Sequence, residues 1–229
     1  MKKIRNIRLF LIIFCLVSLP AASVSAQDGG WDTNLLDTAR GADYLSEIEK
    51  DIILELNKVR TKPALYASEY IEPRKSAFSG RIYRVSGQID LMTNEGVSAV
   101  SECLRVLGKA AAVGILRPSI ALSSATSDHR NDQGETGRTG HDGSDKSSLK
   151  NRIERYGEWD IYIGENITYG PESAREVVVQ LLIDDGVSSR GHRKNIMNRV
   201  FNYAGTAYGT HPLYGYMCVM DFAGAIIDR

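Results

Sequence analysis

Cysteine is scarce in this sequence, with three residues in a chain of 229. That count excludes a scaffold held together by several disulfides. Cys103 and Cys218 lie outside the apolar segment near the N-terminus, and in an oxidising compartment they could form one bridge. We slightly favour the bridge, although two buried free thiols packed as small apolar side chains fit the sequence about as well.

The sequence also lacks net charge, with 28 basic and 28 acidic residues. Residues 1–26 contain four of the basic residues and none of the acidic ones. Without them the chain has 24 basic and 28 acidic residues, a net charge of −4. A chain without a basic excess has no electrostatic signature of nucleic-acid binding, so we expect no nucleic-acid partner.

A long apolar run is missing as well. The uncharged run at 9–19 has 11 residues, whereas a transmembrane helix needs roughly 20. Four basic residues precede this run, and the small residues Val24-Ser25-Ala26 follow it. This order is typical of a secretory signal peptide. We expect cleavage after Ala26, a secreted protein in the periplasm or outside the cell, and no transmembrane segment after processing.

The 203 residues that remain after removal of 26 from 229 suit a single domain. Residues 27–46 show no sustained periodicity, which predicts a mobile lead-in. The domain itself is therefore assigned to 47–229.

Apolar residues at helical spacing predict four helices in this domain. They are expected from Glu47 to just before Pro63, from Asn94 to Leu107, after a cap at Ser119, and after a cap at Ser173. Alternation from Tyr214 to Phe222 predicts a strand in a hairpin with 204–209, and 161–163 or 167–169 could join the same sheet. Helices followed by mixed strands and helices indicate an α+β layered domain.

Polar residues suited to chemistry are concentrated in four segments. These are Thr139-Gly140-His141-Asp142-Gly143, Gly164-Glu165-Asn166-Ile167, Leu182-Ile183-Asp184-Asp185-Gly186 and Arg190-Gly191-His192-Arg193-Lys194-Asn195-Ile196. Their order resembles the bacterial branch of the CAP superfamily of cysteine-rich secretory, antigen 5 and pathogenesis-related 1 proteins. The strand at 214–222 and the Arg152 and Gly157 that follow the first His also match, so the resemblance covers about residues 50–224.

The resemblance implies a fold and a site. The fold is a three-layer α-β-α sandwich with a central, mostly antiparallel sheet. The site is a tetrad at His141, Glu165, His192 and Asp184. The family commonly has Glu at the last of these positions, so Asp184 is a departure and the adjacent Asp185 is a competing choice.

Two imidazoles and one or two carboxylates converging on a cleft suit Zn²⁺ or a similar divalent ion. We expect His141 and His192 to be the metal ligands. Glu165 and Asp184 are the candidate catalytic residues, because either carboxylate could act as a base on a metal-bound water.

Two further residues are candidates for contact with a ligand. Asn166 belongs to the rim of the site or to a turn, and Arg193 belongs to a basic cluster beside His192. The alternatives are that Asn166 only fixes the backbone and that the basic cluster is a solvated helix face. We expect His129 and His211 to be structural.

Three functions fit these residues. The first is a secreted CAP-domain protein whose cleft binds a divalent metal and a small lipid-like ligand. The second is a metal-assisted hydrolase that uses Glu165 or Asp184, and the third is a non-catalytic cell-surface domain that binds a protein partner, with a structural tetrad. The sequence has no His-Glu-x-x-His segment and no Gly-x-Ser-x-Gly elbow, so we favour a non-enzymatic role.

The N-terminal pattern generates the first testable prediction. Amino-terminal sequencing of exported protein should begin at or near Gln27, because Val24-Ser25-Ala26 supplies the small residues of a cleavage site. Recovery of the full-length chain from the cytoplasm would contradict it.

Overall fold

The structure is a computed structural model that describes residues 27–85 and 90–229. The predicted signal peptide, 1–26, lies outside the described residues. Within the described ranges, no helix combines the length and the apolar character needed to cross a membrane.

The helices connect and cover a central sheet. They are α1 (Thr33–Leu36), α2 (Glu47–Thr61), α3 (Pro63–Tyr66), α4 (Val97–Leu107), α5 (Ile120–Thr136), α6 (Leu149–Ile153), α7 (Ala174–Ile183) and α8 (Gly191–Ile196). A π-helical turn (Ala67–Ile71) and a 3₁₀ helix (Glu72–Ala77) continue the chain after α3.

Local signals position the starts of three helices as predicted. Ser46 and Glu49 form a capping box at α2. Ser119 accepts a hydrogen bond from the N–H of Leu122 at the start of α5. Ser173 caps α7 in the same way. These side chains accept from backbone donors that have no partner within the helix.

The second predicted helix begins later than expected, at Val97 instead of Asn94. Gly96 precedes it with φ of 64°, a left-handed conformation that ends the preceding loop. The N–H groups of Asn94 and Glu95 donate to the carboxylate of Asp185, so these residues are held outside the helix.

The strands are β1 (Gln27–Asp28), β2 (Trp31–Asp32), β3 (Phe78–Ser79), β4 (Ile82–Tyr83), β5 (Leu91–Met92), β6 (Arg117–Pro118), β7 (Gly157–Tyr169), β8 (Tyr203–His211) and β9 (Gly215–Asp228). The central sheet has the order β6-β8-β9-β7. β8 and β7 are antiparallel to β9, and the short β6 is parallel to β8. Both segments predicted to join the sheet belong to the single strand β7.

Helices cover both faces of this sheet. Cys218, Met220 and Phe222 of β9 pack in the core formed with α2, α4 and α7. Ala223, on the other face, packs with Leu122 of α5 and Ile153 of α6. Alternating residues of β9 are therefore buried on opposite sides, which confirms the predicted three-layer α-β-α sandwich.

The segment predicted to be a mobile lead-in is instead packed against the domain. Trp31 is 1% exposed, and its indole N–H donates to Glu69 and Tyr70. Leu36 joins the main core, and Leu45 packs with Ile53 of α2. The apolar residues of this segment are unevenly spaced, so its burial left no periodic signal in the sequence.

Cys103 and Cys218 are free and buried, so the slight preference for a disulfide was wrong. The Cys103 thiol donates to the carbonyl oxygen of Leu182, between α4 and α7. Burial raises the pKa of Cys103 to about 12 and also raises that of Cys218. Both residues therefore act as small apolar core residues with unreactive thiols.

The burial of Trp31 generates the second prediction. Trp31→Ala should lower the free energy of unfolding by about 3–5 kcal/mol, because it removes a large side chain from a close-packed site. The matched control is Leu35→Ala in the same segment, which should change stability by no more than about 0.5 kcal/mol because Leu35 is 57% exposed. Urea unfolding of both variants measures the difference, and equal stability of the two would show that the segment does not contribute to the core.

Candidate functional site

Glu165 and Asn166 are neighbours in β7, which is an edge strand of the central sheet. Side chains of successive strand residues point to opposite faces. Glu165 lies opposite Asp221 of β9, and Asn166 lies opposite Met220. Glu165 therefore faces the layer of α5 and α6, whereas Asn166 faces the layer of α7 and α8.

Glu165 joins two residues of the α6 side. Its Oε1 lies 2.7 Å from Nδ1 of His141, and its Oε2 accepts a hydrogen bond of 2.7 Å from Arg152. The Glu165 and Arg152 side chains are buried, but the His141 side chain is 59% exposed. The carboxylate thus fixes the orientation of a ring that remains open to solvent.

The loop that carries His141 is fastened to α5. His129 and Gln133 of α5 both bond the carbonyl oxygen of Gly140, the residue before His141. The Tyr169 hydroxyl donates to Gln133 and accepts from the N–H of Gly140. His129 is buried and holds this loop, which agrees with its predicted structural role.

A second pair lies between α7 and α8. Oδ1 of Asp184 lies 2.6 Å from Nδ1 of His192, and its Oδ2 accepts from the backbone N–H of the same residue at 3.0 Å. Asp184 ends α7 with φ of 58°, a left-handed conformation that Asp tolerates better than most residues. The competing Asp185 bonds the backbone of Asn94 and Glu95 instead. Asp184 is therefore the partner of His192.

Asn166 and Asn195 link the two pairs through β7. The Asn166 amide donates to the carbonyl oxygen of His192 at 3.0 Å. The Asn195 amide donates both to Oδ1 of Asn166 and to the carbonyl oxygen of Glu165. The two His–carboxylate pairs consequently lie on opposite faces of the edge strand, at its neighbouring residues Glu165 and Asn166.

The predicted ligand contacts are occupied within the protein. Asn166 is fully buried and bonded as described. The guanidinium of Arg193 is buried and donates twice to the Glu102 carboxylate. Neither side chain is therefore exposed toward a ligand, because each fastens α8 to a neighbouring element.

Sequence reasoning gave no role to Arg152 and missed Asp221. Asp221 is fully buried opposite Glu165, and neither of its carboxyl oxygens has a hydrogen-bond partner among the described residues. Its signal in the sequence was an acidic residue between Met220 and Phe222, in the middle of an apolar strand.

Burial and the charges around these groups shift their pKa values. The hydrogen bond to Glu165 raises the pKa of His141 and outweighs the effect of partial burial. Burial acts to raise the pKa of Glu165, but the bond to His141 and the charge of Arg152 outweigh it, so that pKa is lowered. Burial, followed by the neighbouring Glu165 charge, raises the pKa of Asp221 well above its usual range.

The donor set available to a metal ion consists of two imidazole nitrogens. Nδ1 of each ring is taken by a carboxylate, and no described residue bonds Nε2 of His141 or His192. Within the ranges that the structure describes, no group of three or more His, Cys, Asp or Glu side chains is arranged to hold a metal ion. The described residues therefore offer an ion at most two imidazole nitrogens, fewer than the three or four protein ligands of a usual zinc site.

The pairing of His141 with Glu165 generates the third prediction. The folded-state pKa of His141 is raised above the unfolded value of about 6.5, so the pair stabilises the fold fully below that pH. The contribution is lost as the pH rises through the folded pKa. Wild type should therefore exceed His141→Gln in unfolding free energy by more near pH 6 than near pH 8.

Urea unfolding at a series of pH values, with a chelator present, measures this difference. NMR titration of the ring provides the direct control, since His141 should titrate above the usual value while burial keeps that of His129 below it. A stability difference that stays constant with pH would refute the ionic role of the pair.

Two solved structures resemble part of the chain. One is an extracellular protein containing an SCP domain from Bacillus anthracis, with 20% identity and a TM-score of 0.38, covering 48% of this chain and 34% of that one. The other is an outer surface protein from Borrelia burgdorferi, with 18% identity and a TM-score of 0.42, covering 48% of this chain and 78% of that one. The matched part thus spans about a third of the Bacillus protein.

No curated protein sequence matches the chain. The cysteine-rich secretory protein family, CAP, matches residues 55–222, which is well over half of the chain and includes both His–carboxylate pairs. The chain therefore belongs to the CAP family of cysteine-rich secretory proteins.

Proposed function

We propose that this chain is a secreted CAP domain that binds a divalent ion, Zn²⁺ or one of similar chemistry, through His141 and His192. One observation carries the proposal. Nδ1 of each imidazole is hydrogen-bonded to a buried carboxylate, and Nε2 has no partner among the described residues. Metal-binding histidines typically have such a carboxylate on the other ring nitrogen.

In this proposal the carboxylates act on the rings and not on the ion. Glu165 and Asp184 select the tautomer with a proton on Nδ1, so that Nε2 presents its lone pair. Their side chains are almost fully buried, whereas His192 is partly exposed and His141 is largely exposed. A bound divalent ion would supply a Lewis acid for an anionic or carbonyl ligand.

The same contacts give little support to the hydrolase hypothesis. A general base needs a free oxygen within reach of the water it activates. Both oxygens of Glu165 are engaged, by His141 and Arg152, and its pKa is lowered. Both oxygens of Asp184 are engaged by His192. We therefore propose a binding domain, in which these two carboxylates are positioning residues.

Secretion is part of the proposal and is supported by two observations. Residues 1–26 have the basic, apolar and small-residue order of a signal peptide. The family to which the chain belongs is one of secretory proteins. A small lipid-like ligand and a protein partner remain predictions.

The metal proposal generates the fourth prediction. In zinc titration calorimetry near pH 8, His141→Gln and His192→Gln should each lose most of the affinity, because neither ring alone can hold the ion. Asp184→Asn should weaken binding by about 10–100-fold, since the amide no longer enforces the tautomer that presents Nε2. As the pH is lowered, the zinc affinity should begin to decrease at a pH above the usual histidine pKa, because the pKa of His141 is raised.

The double variant His141→Gln/His192→Gln is the matched control. If the rings share one ion, the double variant binds no more weakly than either single variant. Additive losses, or one ion retained in each single variant, would show two separate sites and contradict the proposal. Circular dichroism of every variant tests whether lost binding follows from lost folding.

A further inference from the structure

A cavity of about 320 Å³ opens on the β8 side of the molecule. It lies between the loop before α2, which supplies Tyr44, and the first half of α5. Tyr156 and Thr206 complete its walls, and no residue of the two His–carboxylate pairs lines it. Its volume falls in the range of small-molecule sites, roughly 300–1,000 Å³.

Serine side chains of α5 form one wall of this cavity. Ile120, Ser124 and Ser127 share a helical face through spacings of four and three residues. Leu122 and Ala125 are buried on the opposite face, against the sheet. The short serine side chains leave the space that a larger residue would fill.

Three hydroxyl groups at the cavity have no partner within the described part of the protein. No described residue bonds the hydroxyls of Ser124, Ser127 or Tyr44, and the two serines are half-buried. Each hydroxyl can donate one hydrogen bond and accept others. A ligand with its own hydroxyl groups would satisfy them in both directions.

Hydrogen bonds within the protein already engage both acidic residues of the cavity. The Asp128 carboxylate accepts from the Tyr156 hydroxyl and pairs with Arg155. The Glu49 carboxylate accepts from Ser46 and from the N–H of Tyr208. Among the described residues, neither lysine nor arginine lines the cavity. The site therefore has no cation for an anionic ligand, and the oxygens of both carboxylates already accept hydrogen bonds from the protein.

Two tyrosine rings, those of Tyr44 and Tyr156, add aromatic surface to the cavity. Tyr44 is 43% exposed, and the hydrogen bond to Asp128 fixes the ring of Tyr156. Aromatic rings bury the apolar C–H face of a ligand, while hydroxyl groups bond its polar edge. A neutral ring that is apolar on its faces and rich in hydroxyls at its edge matches both kinds of wall.

We propose that this cavity binds one neutral pyranose sugar unit, either as a free sugar or as part of a glycan. Tyr44 and Tyr156 cover the ring, and Ser124 and Ser127 bond its hydroxyl groups. The inference goes beyond the proposed metal site, because none of the residues that line the cavity belongs to the two His–carboxylate pairs. Either proposal can fail without the other.

The test is an NMR titration of the chain from Gln27 onward, labelled with ¹⁵N. The probes are the methyl glycosides of glucose, galactose, mannose and N-acetylglucosamine, each titrated separately into the millimolar range. At least one should give saturable shifts at the amides of 44–45 and 120–128. Ser124→Ala/Ser127→Ala should weaken that binding at least about tenfold, because two hydrogen bonds are removed.

Alanine favours a helix more than serine does, so the double variant should remain folded. Ser101→Ala, at an exposed serine of α4, is the matched control and should bind like wild type. Tyr44→Ala should also lose glycoside binding, because it removes the aromatic ring that covers the sugar. The proposal would be overturned if none of the glycosides gave saturable shifts, or if the double serine variant bound as tightly as wild type. Binding of ethylammonium or inorganic phosphate at these amides with no response to the glycosides would also overturn it.

Discussion

The ion pair between Arg152 and Glu165 is the interaction on which the arrangement of the site depends. Both side chains are buried, and a buried carboxylate is costly unless charged hydrogen bonds replace water. Arg152 supplies one such bond from α6, and His141 supplies the other from the loop after α5. Removal of one partner would leave an uncompensated buried charge, at a cost of about 3–5 kcal/mol. The pair therefore holds β7, α6 and the His141 loop in one arrangement.

The edge position of β7 explains how each helical layer places a His–carboxylate pair beside the same strand. A strand in the middle of the sheet would have neighbours on both sides and no open edge for the rings. At the edge, Glu165 holds His141 from one layer, and Asn166 holds the backbone of His192 from the other. Asp184 supplies the carboxylate on the second side because the left-handed end of α7 turns it toward α8. The carboxylates stay buried while the rings reach solvent.

The two faces of the sheet differ in chemistry, and the difference decides where polar function can lie. The face toward α2 and α7 packs apolar side chains such as Met220 and Phe222. The face toward α5 carries Glu165 and Asp221 opposite each other within the sheet. Two facing carboxyl groups cannot both ionise readily in a buried setting, so the pKa of Asp221 is raised while the pKa of Glu165 is lowered by His141 and Arg152. These opposite shifts favour the negative charge on Glu165, whose two oxygens bond His141 and Arg152.

The sequence by itself determined the elements whose signals are local. Caps at Ser119 and Ser173 placed α5 and α7, the alternation at 214–222 placed β9, and the order of the motifs located His141, Glu165 and His192. Only the tertiary structure decided the burial of Trp31, the choice of Asp184 over Asp185, and the meeting of Asp221 with Glu165. It also decided that Cys103 and Cys218 are free. Each of these depends on contacts between residues distant in the chain, which periodicity and spacing along the sequence do not encode.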